Sequence, residues 1–85
     1  MKYLIIAFKS RNSTLSFNQF LKSKGIIGSI INTPSSIGSS CTLSIQLDIR
    51  FLNTLTSLIS TFKNDLTGVY LLRKIGLHEQ TERLY

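Results

Sequence analysis

Tyr3-Leu4-Ile5-Ile6-Ala7-Phe8 is a short, continuous apolar run rich in isoleucine and aromatic residues. A run of this length without polar alternation reads as a strand buried on both faces, the centre of a sheet. A central strand needs partners on each side, and the remaining chain is read for them.

After the run, Ser10 or Ser13 is placed to cap a helix through its side-chain oxygen. Phe17, Phe20, Leu21 and Lys24 then fall at i, i+3, i+4 and i+7, a narrow apolar face with a lysine stem at its end. Gly25 follows where a glycine commonly ends a helix. Residues 26–32 (IIGSIIN) read as a second strand, in which Gly28 weakens the strand slightly or admits a close neighbour. Thr33 to Ser40 is a loop. Thr42 to Leu47 alternates, with Leu43, Ile45 and Leu47 on one side and Thr42, Ser44 and Gln46 on a wet side. Asp48 is a candidate cap for a second helix, whose stripe is Phe51, Leu52, Leu55, Leu58, Ile59 and Phe62. Asn64-Asp65 is turn chemistry, and Val69 to Leu72 with its flanks is a fourth strand.

The order β-α-β-β-α-β predicts a ferredoxin-like α+β sandwich, a four-stranded antiparallel sheet with two helices on one face. In that topology the third strand lies between the first and second, antiparallel to both. Residues 1–75 make the domain. Residues 76–85 read as a polar tail, either frayed or forming a short docking helix.

Composition narrows the function. Eighty-five residues make one domain, and a single cysteine can form no internal disulfide. No Cys/His cluster offers a zinc site, so no metal and no cofactor is expected. The longest clearly apolar run, Leu4 to Phe8, is far too short to span a membrane, and Lys9-Ser10-Arg11-Asn12 follows it where an export signal would have small residues. A free thiol without such a signal points to the cytoplasm. The net charge of +6 favours anionic partners. Its basic residues are scattered, without the aromatic-basic signature of an RNA-recognition sheet, so nucleic acid is the weaker candidate. A homodimer through the sheet face is left open.

The chemistry-bearing feature is Cys41, the end of Pro34-Ser35-Ser36-Ile37-Gly38-Ser39-Ser40-Cys41. Two readings stand: a reactive thiol on a hydroxyl-rich loop, or a small apolar residue opening a strand. The expected topology brings Cys41 near Lys9, Ser10 and Arg11, at the first turn of the first helix. Its anion would then gain from the helix dipole, from the two cations, and from hydrogen bonds of Ser39, Ser40 and the loop amides. The equipment of a self-sufficient enzyme is missing from the sequence. The one histidine, His78, is in the tail, no Cys-x-x-Cys or phosphate-binding loop is present, and no arginine follows Cys41 until Arg50. Asp48 and Asp65 read as caps or turn residues, so an acid–base pair is not expected. A thiol that accepts a group and hands it on needs only exposure, a favoured anion and a partner. The alternative is a non-catalytic interaction or regulatory module with a structural cysteine.

Residues 33–45, Thr-Pro-Ser-Ser-Ile-Gly-Ser-Ser-Cys-Thr-Leu-Ser-Ile, resemble the signature of the family called putative selenium/sulfur carrier protein-like. The resemblance extends over roughly residues 2 to 75, through Phe8 and Ser10, Gly25-Ile26, the Thr-Pro…Ile-x-Ser-Ser-Cys loop and Gly68-Val69-Tyr70. It implies a carrier in which Cys41 holds sulfur or selenium as a persulfide or selenopersulfide. The implied partners are a cysteine desulfurase-like or selenium donor protein and an acceptor enzyme. One departure is visible: members commonly have glycine after the cysteine, and here Thr42 stiffens that position.

Overall fold

The computed structural model describes residues 2–34, 37 and 43–84. Their elements are β1 (Lys2–Phe8), α1 (Arg11–Ser23), β2 (Ser29–Asn32), β3 (Leu43–Asp48), a 3₁₀ turn (Ile49–Phe51), α2 (Leu52–Leu58), a second 3₁₀ stretch (Ile59–Asp65), β4 (Leu66–Ile75) and β5 (His78–Arg83). The fold is α+β, with one antiparallel sheet in the order β2-β3-β1-β4-β5. The sheet has five strands where four were expected. The extra strand is made by the supposed tail, which is neither frayed nor helical between His78 and Arg83. A two-residue turn brings it back along β4, Ile75 pairing with His78. Gly76 sits at φ +60° in that turn and Leu77 does not have positive φ, the pattern of a type II′ hairpin.

β1 occupies the middle, hydrogen-bonded to β3 on one side and β4 on the other. Leu4, Ile5, Ile6, Ala7 and Phe8 are all fully buried, so the apolar run is a two-faced strand as its sequence predicts. Alternation sends Leu4, Ile6 and Phe8 to one face, where Ile45 and Leu47 of β3 and Val69 of β4 join them. Phe17 and Leu21 of α1, Leu55 of α2 and Ile59 pack on these residues, so both helices cover the same face. Phe8, Phe17 and Phe62 form an aromatic cluster there, Phe17 lying 5.1 Å from Phe8 and 5.0 Å from Phe62 between ring centroids.

Local chemistry sets the boundaries of α1. Ser10 is its N-cap, its Oγ accepting from the Ser13 amide at 3.2 Å. At the other end Gly25 adopts φ +79°, its N–H donates to the Lys22 carbonyl, and the Ile26 N–H donates to that of Leu21. These two bonds make a Schellman motif, and Ile26 and Leu21 supply its apolar contact in the core. This explains why β2 begins at Ser29 and not at Ile26: the helix cap has already used Ile26. Gly28 then passes so close to β3 that a Cβ there would stand 2.8 Å from Ile45 Cγ2 and 2.9 Å from Leu47 Cδ2. The second helix also departs from expectation. Asp48 caps the 3₁₀ turn, its carboxylate accepting from the Arg50 amide, and the apolar stripe runs through a short α-helix flanked by 3₁₀ segments.

Candidate functional site

The segment between β2 and β3 carries the sequence-predicted thiol. Its base is closed by backbone and side chain together. Asn32 pairs with Leu43 and Ile31 with Ser44, and Thr33 Oγ1 lies 2.7 Å from Ser44 Oγ. Ser44 is fully buried, although its strand position places it on the side read as wet. The hydroxyl pair explains the burial, because each oxygen has a partner within hydrogen-bonding distance.

Past Pro34 the chain turns, the Ile37 N–H donating to the Pro34 carbonyl at 3.0 Å. Ile37 is 3% exposed. It packs with Ile5, Ala7 and Leu72 on the sheet face opposite the helices, with Ile31 and Tyr70 at the margin. A residue of the loop therefore covers the second face of the central strand. The sequence reading places Ile37 in the loop from Thr33 to Ser40 and gives it no role of its own. The signal was available: Ile37 is the one bulky aliphatic residue between Pro34 and Cys41, and β1 has apolar residues on both faces.

The cationic part of the expected site starts at the end of β1. Ala7 pairs with Ser44, so the chain leaving β1 and the chain entering β3 share one edge of the sheet. Lys9 and Arg11 are exposed there, and the Lys9 N–H donates to the Asp65 carbonyl at 2.8 Å. Ser10 has a structural task, accepting from the Ser13 amide and donating its hydroxyl proton to Ser13 Oγ at 3.0 Å. Its link to any anion at this edge runs through the helix terminus it starts. Cys41, Ser39 and Ser40 lie outside the described residues, so their places relative to Lys9, Ser10 and Arg11 are not part of this geometry. Leu43, two residues after Cys41, is half-buried at the head of β3.

Among the described residues no group of His, Cys, Asp and Glu could hold a metal ion. Among the same residues no helix is long and apolar enough to cross a membrane. Two shallow cavities lie away from the loop: one between the β4–β5 strands at Leu71, Arg73 and Glu82, and one between β4 and the second helical segment at Ile59, Leu66 and Arg83.

No curated protein and no solved structure matches the chain. The model of one family matches residues 2–71, from the first residue of β1 into β4, with the whole β2–β3 loop inside the match and β5 outside it. On that match, which takes in most of the sequence, the chain belongs to the family described as Putative Se/S carrier protein-like.

Proposed function

We propose that the chain is a carrier of sulfane sulfur or selenium, with Cys41 as the accepting thiol on a ferredoxin-like scaffold extended by one edge strand. The observation that carries this reading is the family match over residues 2–71, which takes in the Thr-Pro…Ile-x-Ser-Ser-Cys loop. The anchored loop supports it. Ile37 packs on the sheet and Thr33 pairs with Ser44, so the segment is held at these described positions. Gly38, Ser39 and Ser40, between that anchor and the thiol, are all small. A donor protein's persulfide could reach such a thiol without displacing bulk.

The reaction is thiol–disulfide exchange. The Cys41 thiolate attacks the terminal sulfur of a donor persulfide. A sulfur–sulfur bond forms at Cys41 as the donor's own breaks, and the electron pair leaves on the donor thiolate. One persulfide is consumed and one is made, so no oxidant is required. Delivery repeats the exchange with a thiolate of the acceptor enzyme, and a selenopersulfide follows the same course. Ser39 and Ser40 would donate hydrogen bonds to the anion, while Lys9, Arg11 and the helix start at Ser10 supply positive potential. The chain needs no acid–base pair of its own, in keeping with a carrier that works between a desulfurase-like or selenium donor and an acceptor enzyme in the cytoplasm.

Intact-mass spectrometry after incubation with a cysteine desulfurase and cysteine tests the proposal. Wild type should gain one sulfur, removable by a thiol reductant, and Cys41→Ser should gain none. A chain that stays unloaded while a small thiol in the same mixture is persulfidated is not a carrier, and the interaction-module reading replaces it.

A further inference from the structure

The two edges of the sheet differ in chemistry. β5, with the sequence His-Glu-Gln-Thr-Glu-Arg, is charged along its length, which is how edge strands usually resist further pairing. β2, at the other edge, reads Ser-Ile-Ile-Asn and carries no charge. Ile30 on it is 37% exposed and Ile27 just before it is 74% exposed. β2 pairs with β3 on its inner side, and among the described residues nothing pairs with its outer side. Its outward amides and carbonyls form a short template for one more strand.

We infer that β2 is a docking edge for an extended, acidic segment of a partner protein, which adds to the sheet as a sixth strand. Charge selects this occupant. Lys22 and Lys24 are exposed at the end of α1, a few residues before β2 along the chain. Of the four side-chain carboxylates, Glu79 and Glu82 belong to β5 and Asp65 ends the second 3₁₀ stretch, just before β4. Four strand spacings separate the two edges, about 19 Å. The fourth carboxylate, Asp48, ends β3 two residues past Gln46, the partner of Ser29, and the exposed Arg50 follows it with a compensating positive charge. A second copy would bring its own Lys22 and Lys24 along with another uncharged β2, whereas an acidic strand brings the opposite charge to this region and two exposed isoleucines to cover. The docked segment would continue past Asn32 toward Thr33, the first residue of the candidate loop.

The inference does not depend on the thiol, which separates its failure from that of the carrier reading. The probe is a synthetic peptide alternating valine and glutamate, with the same peptide carrying lysine for glutamate as control. Both are titrated into ¹⁵N-labelled full-length Cys41→Ser protein. The acidic peptide should shift the amides of Ser29 to Asn32 and leave those of β5 in place. Ile30→Asp should weaken binding about tenfold through lost apolar contact and like charge. The double variant Lys22→Gln/Lys24→Gln should weaken it about fivefold. Neither change touches a fully buried side chain, and unchanged helix-face amides will verify folding. Equal affinity for the two peptides, shifts at β5 instead of β2, or no binding by either peptide overturns the proposal. So does concentration-dependent dimerisation that shifts the β2 amides without peptide, since the edge is then taken by a second copy.

Discussion

On the helix side of β1, Leu4, Ile6 and Phe8 meet side chains from α1, α2 and both neighbouring strands, with an aromatic cluster at the centre. On the other side, Ile5 and Ala7 meet Leu72 of β4 and Ile37 of the candidate loop. One face is closed by secondary structure with its own hydrogen bonds. The described cover of the other is a loop side chain held by one turn and one hydroxyl pair. Stability should therefore reside mainly on the helix side. Loop order, and with it the presentation of Cys41, should depend on the thinner side. The contrast also separates two kinds of mutational damage: loss of the whole fold, and loss of loop position with the fold retained.

The largest effect is expected on the helix side. Phe17→Ala removes a fully buried ring in contact with Phe8 and Phe62, and should cost about 4 kcal/mol in urea unfolding. All amides protected by global unfolding should lose protection together. Ile37→Ala tests the other side. Truncating a buried isoleucine should cost about 2 kcal/mol here, at the low end for such changes because the surrounding cluster is small. Hydrogen exchange should accelerate from Thr33 to Ser44 more than in α1, and sulfur loading of Cys41 should fall. A cost equal to that of Phe17→Ala would mean that the two faces are equivalent, and no change in loop exchange would mean that Ile37 anchors nothing.

The hydroxyl pair at the loop base gives the next smaller effect. Thr33→Val should cost about 1 to 2 kcal/mol, because it strands the fully buried Ser44 hydroxyl, and Ser44→Ala should cost less, because Thr33 is only half-buried. The double variant should cost less than the sum by about 1 kcal/mol if the pair acts as a unit. Additive losses would show that the two oxygens are satisfied separately.

What the sequence disclosed follows from how strongly each residue is constrained. β1 was legible because burial on both faces leaves no polar position in Leu4 to Phe8. The ends of α1 were legible because Ser10 and Gly25 are fixed by local backbone chemistry. β5 was not, since an edge strand such as His78–Arg83 buries little and its residues resemble those of a tail. The start of β2 was misplaced because Ile26 suits a strand in composition but is used by the helix cap. At the candidate site, the shared edge of β1, α1 and β3 followed from topology. The burial of Ser44 and Ile37 did not, because each depends on a partner distant in sequence.

The smallest effect probes the link between the helix start and the thiol. Ser10→Asp keeps a good N-cap, so stability should stay within about 0.5 kcal/mol of wild type. It also adds a carboxylate at the edge where Lys9 and Arg11 are exposed. A thiolate close to this edge would be disfavoured by the added negative charge, because less of the thiol would be ionised at neutral pH. Alkylation of Cys41 should then slow about threefold, with most of the difference lost in high salt. Ser10→Asn caps the helix as well without the charge and should leave the rate unchanged. Equal rates in both variants would detach Cys41 from the cationic edge. The donors to its anion would then have to come from the loop, from Ser39, Ser40 and the backbone beside them.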